Sequence, residues 1–214
     1  MNGQDYTVEP LEFHYHEPPS VSSIYPTSAS YRGGSLVSVM GSAFNHGSQP
    51  RCRFGVAGTT AGSVASAQSL LCHTPAAASM LSVPLEISLN AQQYTADAQP
   101  FSIHAHPRIV SVSPDRGPLG GNTLVRITGH MFDGGTMGKY ECRFGNVRTP
   151  AAYVNSSRLQ CNSIPLTAGT YCVEVTLNGL DFSDDCVQFR VMPTTKLVTL
   201  SPSSGPVLGD TELR

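Results

Sequence analysis

The chain repeats itself at a spacing of 88 residues. Phe13-His14-Tyr15-His16 returns as Phe101-Ser102-Ile103-His104, 88 positions on. Ile24-Tyr25-Pro26 returns as Val112-Ser113-Pro114 and then as Leu200-Ser201-Pro202, each 88 residues after the last. Cys52-Arg53-Phe54-Gly55 recurs as Cys142-Arg143-Phe144-Gly145, two residues later than the offset requires because the loop from Asp133 to Lys139 is longer. Leu71-Cys72 returns as Gln160-Cys161. Tandem copies of one small unit point to an array of modules, not to one enzyme built around one cleft.

The repeat also runs over the two ends. Asn2-Gly3-Gln4-Asp5-Tyr6-Thr7 superposes on Asn90-Ala91-Gln92-Gln93-Tyr94-Thr95, and Ser201-Pro202-Ser203-Ser204-Gly205-Pro206 restarts a third copy. This register makes residues 1–17 the last hairpin of an earlier unit, residues 18–105 and 106–192 two complete units, and residues 193–214 the start of another. Met1 then reads as an internal methionine or a mispredicted start. A lone hairpin or first strand buries too little apolar area to fold. Both ends are therefore expected to fray and to expose Leu200, Val207 and Leu208, which favours self-association.

A unit of 88 residues is near the lower limit at which a core alone sustains a fold. Charged residues make up only 13% of the chain, roughly half the usual share. The net charge is −2, with 13 basic residues scattered along the sequence. Phosphate binding needs clustered Lys and Arg, which argues against nucleic acid as the partner. No stretch approaches the roughly 20 apolar residues of a membrane span, and the first residues lack the pattern of a signal peptide. For a piece of a longer protein, neither absence describes the parent.

The pattern within a unit is that of strands. Thr123-Leu124-Val125-Arg126-Ile127-Thr128 and Tyr171-Cys172-Val173-Glu174-Val175-Thr176-Leu177 alternate and are rich in β-branched residues. In the second unit strands are expected near 108–113, 123–130, 139–144, 158–162, 170–177 and 185–191. Pro114-Asp115-Arg116-Gly117-Pro118-Leu119-Gly120-Gly121-Asn122 and Asn178-Gly179 supply turn chemistry. Short strands with turns at this spacing predict an all-β chain of tandem immunoglobulin-like antiparallel β-sandwiches. The chain has no Trp, so the usual antibody core residue is missing.

Six cysteines can pair in about 15 ways, and the repeat narrows the choice. Cys52 and Cys72 match Cys142 and Cys161, so each complete unit carries the same pair. Cys172 and Cys186 superpose on Pro84 and Ala98, so the first unit lacks both at once, as expected of a bonded pair. The two are equidistant from Gly179 and are expected to face each other across a hairpin. The expected bridges are Cys52–Cys72, Cys142–Cys161 and Cys172–Cys186. Loops of about 15–21 residues give each bridge on the order of 3 kcal/mol in the chain-entropy model. Three bridges imply an oxidising compartment. Six reduced cysteines are the competing reading, and zinc is disfavoured because there is no C-x₂-C pair.

These residues resemble a known family. The string from Pro107 to Pro114, then Gly117-Pro118, Gly120-Gly121 and Val125-Arg126-Ile127-Thr128-Gly129-His130-Met131-Phe132, is similar to an IPT/TIG domain. So are Cys142-Arg143-Phe144-Gly145, Leu159-Gln160-Cys161 and Val173-Glu174-Val175-Thr176-Leu177-Asn178-Gly179. The first unit departs from the pattern, with Ala29-Ser30-Tyr31-Arg32 in place of the Gly-Pro turn and Ala91 where Gly is expected. Such domains occur in plexins and fibrocystin-like surface proteins and, without disulfides, in Rel-type transcription factors. With paired cysteines and serial copies, the resemblance implies the surface group.

Other candidate sites weigh less. His14 and His16, and His104 and His106, are two residues apart and would share one side of a strand. A metal needs further ligands, for which Glu17 is the obvious third, and polar linker residues are the preferred reading. Asp181, Asp184 and Asp185 lack EF-hand spacing and read as a solvated turn. Asn155-Ser156-Ser157 is the only N-glycosylation acceptor, expected in a loop between Cys142 and Cys161. No nucleophile elbow or phosphate loop occurs, and no catalytic residue, metal or cofactor is expected.

The preferred reading is thus a non-enzymatic spacer and protein-interaction or adhesion array. It would lie in the ectodomain of a larger cell-surface or secreted protein, its partner a protein ligand or its neighbouring repeats. Accessory modules of an extracellular enzyme, for support or carbohydrate binding, are a second reading, weakened by the lack of Trp to stack on sugars. A DNA-binding sandwich is a third, opposed by charge and cysteines.

Overall fold

A computed structural model of the chain describes residue 15 and residues 17–136, 139–193 and 199–212. In the first half the strands are β1 (Ser20–Tyr25), β2 (Ser28–Ser30), β3 (Leu36–Ser42), β4 (Arg51–Phe54), β5 (Gly58–Ser66), β6 (Ser69–His73), β7 (Leu81–Ser88) and β8 (Gln99–His104). The second half repeats them as β9 (Arg108–Ser113), β10 (Arg116–Pro118), β11 (Leu124–His130), β12 (Glu141–Phe144), β13 (Val147–Asn155), β14 (Arg158–Asn162), β15 (Gly169–Thr176) and β16 (Val187–Met192).

Each half closes into a sandwich because one long strand changes sheets. Residues 147–150 of β13 pair with β12, and residues 151–155 pair with β14. One sheet is therefore β9-β11-β14-β13 and the other β13-β12-β15-β16-β10. In the first half β5 changes sheets in the same way between Ala61 and Gly62. Pairing between these strands is antiparallel except for the short β2–β8 and β10–β16 contacts, which are parallel. The segment Arg116-Gly117-Pro118, read from sequence as part of a turn, is thus an edge strand. Pro118 is tolerated there because an edge can leave a backbone position without a donor.

Alternation sets the core. Along β11, Val125 and Ile127 point inward while Leu124, Arg126 and Thr128 do not. Phe54 and Phe101 meet edge to face at 5.1 Å in the first sandwich, and Phe144 and Phe189 repeat the contact at 5.2 Å in the second. Buried phenylalanine pairs thus fill cores that contain no Trp. The two cores are separate clusters, one drawn from Val21 to Ile103 and the other from Ile109 to Val191. Gly41 and Gly129 each bring two strands close together. A Cβ there would overlap the carbonyl oxygen of Ser20 or Arg108 and the ring of Phe44 or Phe132.

The late hairpin departs from the register expected of it. Across β15 and β16, Cys172 lies opposite Gln188 and Val173 opposite Val187, so Cys172 and Cys186 do not form a cross-strand pair about Gly179. Nearer the tip, Thr176 pairs with Phe182, so two extra residues bulge out between the tip and β16. Cys186 sits in that bulge with φ of 48° and bonds diagonally to Cys172, their Cα atoms 4.4 Å apart.

The hairpin expected at 1–17 lies outside the described residues apart from Tyr15 and Glu17. At the other end residues 199–212 form no strand, and Leu200, Val207 and Leu208 are exposed.

Candidate functional site

The two sandwiches meet end to end through polar groups. The tip of the β15–β16 hairpin, residues 178–184, reaches back onto the end of the first sandwich. There Asn178 Nδ2 donates to the carbonyl oxygen of Ser28 at 3.0 Å and to Asp181 Oδ2 at 2.8 Å. Ser35 Oγ donates to the same Asp181 oxygen at 2.5 Å. Asp184 pairs with Arg32 at 2.9 Å. Elsewhere in the joint Thr136 Oγ1 stands 3.1 Å from Thr27 Oγ1 and 3.0 Å from Ser28 Oγ. Asn178 is completely buried, and its Oδ1 also accepts from the backbone N–H groups of Leu180 and Asp181. One amide side chain therefore shapes the tip and docks it.

The last residue of β8 and the linker run through the same joint. His104 is 3% exposed. Its Nδ1 lies 2.8 Å from the carbonyl oxygen of Ala105, so Nδ1 carries the proton, and Nε2 has no hydrogen-bond partner among the described residues. Gly134 of the second sandwich packs over its Cβ. His106 is also largely buried, its Nε2 3.4 Å from Asp184 Oδ1, within ion-pairing distance but outside hydrogen-bond geometry. Burial holds the pKa of His104 below the ordinary value, opposed by the Ala105 carbonyl and Asp181. Burial, reinforced by Arg32, does the same to His106, opposed by Asp184. The Arg32 guanidinium in turn lowers the pKa of the Asp184 carboxyl. Both imidazoles are thus wedged into the joint: His104 is the last residue of β8, and His106 is the linker residue expected from sequence but largely buried.

The three aspartates at the tip diverge. Asp181 faces Ser35 and Asn178, Asp184 faces Arg32, and Asp185 Oδ2 accepts the backbone N–H of Ile109 at 2.7 Å. Asp181 and Asp185 are partly buried anchors of the joint and of the first strand, while Asp184 stays solvated as expected of the turn and pairs with Arg32 from an exposed position. Among the described residues no three His, Cys, Asp or Glu groups converge as a metal would require; His14 and His16 lie outside those residues.

The IPT/TIG domain model matches residues 19–103 and again residues 107–191. The chain belongs to the IPT/TIG domain family. It is similar to fibrocystin-L of Homo sapiens, 26% identical over 204 residues that cover 91% of this chain and 4% of that protein. Fibrocystin-L of Mus musculus is 24% identical over 134 residues, 59% of this chain and 3% of that protein. The chain thus spans only a few per cent of the length of these curated relatives. Among solved structures, the full extracellular region of plexin A4, domains 1 to 10, superposes with a TM-score of 0.54 at 15% identity. That match covers 90% of this chain and 18% of the plexin chain and is a likeness of fold alone.

Within each IPT/TIG unit one bridge spans the two sheets. Cys52 of β4 is bonded to Cys72 of β6, and Cys142 of β12 to Cys161 of β14, with Cα separations of 6.3 and 6.4 Å. All four of these cysteines are buried in the cores. Asn155 is the last residue of β13, on the surface, and not in a loop.

Several anchors escaped the sequence reading although the repeat displays them. Asp97 Oδ2 accepts the N–H of Val21 at 2.6 Å, as Asp185 does for Ile109, and the two aspartates are 88 residues apart. Arg53 pairs with Glu86 and stacks on Tyr94, while Arg143 pairs with Glu174 and stacks on Phe182. The spacing could have revealed each one; what it could not supply was the partner.

Proposed function

We propose that this chain is a non-enzymatic spacer and protein-interaction array, a piece of the ectodomain of a larger cell-surface or secreted protein. Residues 18–105 and 106–192 are its two complete modules. The observation that carries the reading is the joint, where Asn178, Asp181 and Asp184 reach from one module to Ser28, Ser35 and Arg32 of the other. A tether of Ala105-His106-Pro107 alone would let the modules swing. Hydrogen bonds from the hairpin tip and from Thr136, with buried imidazoles beside them, hold one orientation, as a spacer requires. Three disulfides support an oxidising compartment, and the plexin A4 region that shares the fold is extracellular. The open sheet edges and loops are the surfaces offered to a protein ligand or to neighbouring repeats.

Small-angle scattering of the full chain tests the spacer. A single extended two-module shape is expected, broadened to an ensemble by Asn178→Ala combined with Asp181→Ala. A wild-type chain that already samples many bends would overturn the reading. Labelling of intact cells with a membrane-impermeant reagent tests location: a native protein labelled only after lysis would refute a surface position.

A further inference from the structure

β13 is the outer strand of both sheets of the second sandwich, and its length is guarded unevenly. Near its start Arg148 crosses to the hairpin tip, donating to the Gly179 carbonyl at 3.1 Å and lying over the Phe182 ring. Pro150, at the point where the strand changes sheets, has no N–H to offer a foreign strand. Beyond it, Ala152 and Tyr153 pair only with β14, Val154 sits in a bulge of that pairing, and the outer side of the stretch has no backbone partner among the described residues. Tyr153 and Val154 there are 47% and 46% exposed. The matching stretch of β5, Gly62-Ser63-Val64-Ala65-Ser66, exposes no large apolar side chain. An apolar free edge of this kind recruits other strands.

The next residue is Asn155, head of the one N-x-S acceptor in the chain. Asn155, Ser156, Ser157 and Arg158 are all exposed. Asn155 Oδ1 accepts the backbone N–H of Ser157 at 2.9 Å, while Nδ2, the atom that takes a glycan, makes no hydrogen bond among the described residues. A glycan added to the chain before folding therefore needs no room inside the sandwich and leaves the core contacts intact. In the first module the matching residue is Ser66, which starts no acceptor sequence.

We infer that Asn155 carries an N-linked glycan that covers the free apolar edge formed by residues 152–154. The transfer takes its oligosaccharide from a lipid-linked pyrophosphate donor. A bond forms between the anomeric carbon and Asn155 Nδ2 as the anomeric carbon–oxygen bond breaks. The lipid pyrophosphate leaves with the bonding electrons, and one amide proton is released. Such a modification rests on the extracellular location proposed above.

The test uses the full chain directed through the secretory pathway of mammalian cells. Peptide mapping after peptide:N-glycosidase treatment is expected to show the Asn155→Asp conversion in most molecules. Both Asn155→Gln and Ser157→Ala, which leave the strand backbone alone, are expected to abolish it. Removing the glycan from the folded protein is expected to tighten self-association in sedimentation by about tenfold, and Val154→Lys to reverse that change by charging the edge. Formed disulfides with an unoccupied Asn155 would overturn the site while sparing the extracellular reading. Reduced cysteines in the native protein would refute that reading instead. An occupied site whose removal leaves self-association unchanged would rule out the covering role.

Discussion

The two modules share one backbone but differ in how the late hairpin is held. In the second, Cys172 is bonded to Cys186; in the first the same positions are Pro84 and Ala98. Ala98 and Cys186 both adopt φ of 48°. The register past the bulge also agrees, Leu85 opposite Gln99 as Val173 is opposite Val187. The bulge therefore forms without the bridge. Ladder pairing sets its shape, together with the aspartate just before it, Asp97 or Asp185, which is tied to the first strand of its module. The third disulfide fastens a shape the backbone already takes. It does so in the module whose hairpin tip carries the joint, where a second module loads the same hairpin.

The bridges through the cores should matter most, and equally in both modules. Replacing Cys142 and Cys161 by Ala, or Cys52 and Cys72, is expected to cost about 2–5 kcal/mol in that module. Urea unfolding followed by circular dichroism would measure it, and equal destabilisation of both modules by one replacement would mean that the cores are coupled. Gly129→Ala and Gly41→Ala come next at about 1–3 kcal/mol each, because the new methyl overlaps backbone that cannot move without parting two strands. A neutral substitution in only one module would show that the two strand crossings are not equivalent.

The hairpin bridge separates the modules. Cys172→Ala with Cys186→Ala is expected to cost about 1–3 kcal/mol, with the hairpin tip exchanging its amides faster while the rest of β15 stays protected. Conversely, Pro84→Cys with Ala98→Cys should form a bond on oxidation and stabilise the first module; free thiols after oxidation would mean that the bulges differ. The smallest effect is pH dependence at the joint. Burial lowers the pKa of His104 and His106 below the ordinary 6.5, so the undocked or unfolded chain binds protons more readily. Docking is fully favoured above that value and weakens as the pH falls below it. Scattering on either side of it should show the joint loosening on acidification, an effect that His104→Gln reduces. A joint equally ordered at acid pH would show that the imidazoles are not wedges.

The repeat made much of this legible. The partners in the core bridges, the alternating β11 and the Asn178-Gly179 turn follow from spacing and pattern, because each is repeated or local. β13 leaves no strand pattern in the sequence because it changes sheets midway, so its Ala, Pro and Tyr residues alternate toward no single core, and Pro150 reads as a breaker. The register of Cys172 is hidden for a related reason. Counting residues to Gly179 assumes a regular ladder, and a bulge leaves no mark in composition.

Sequence alone determined what the repeat displays, at a spacing of 88 to 90 residues: the two sandwiches and their core cysteines. These depend on local alternation and on copies that report on one another. Only the tertiary structure decided the joint. Asn178, Asp181, Asp184, His104 and His106 act across the boundary between copies, and the tip's partners Ser28, Ser35 and Arg32 lie more than a module away in the chain. Asn90 of the first module matches Asn178, but Gln93 and Ala96 stand where the second has Asp181 and Asp184. A contact made once, between groups distant in sequence, has no period to betray it; it exists because folding brings two finished surfaces together.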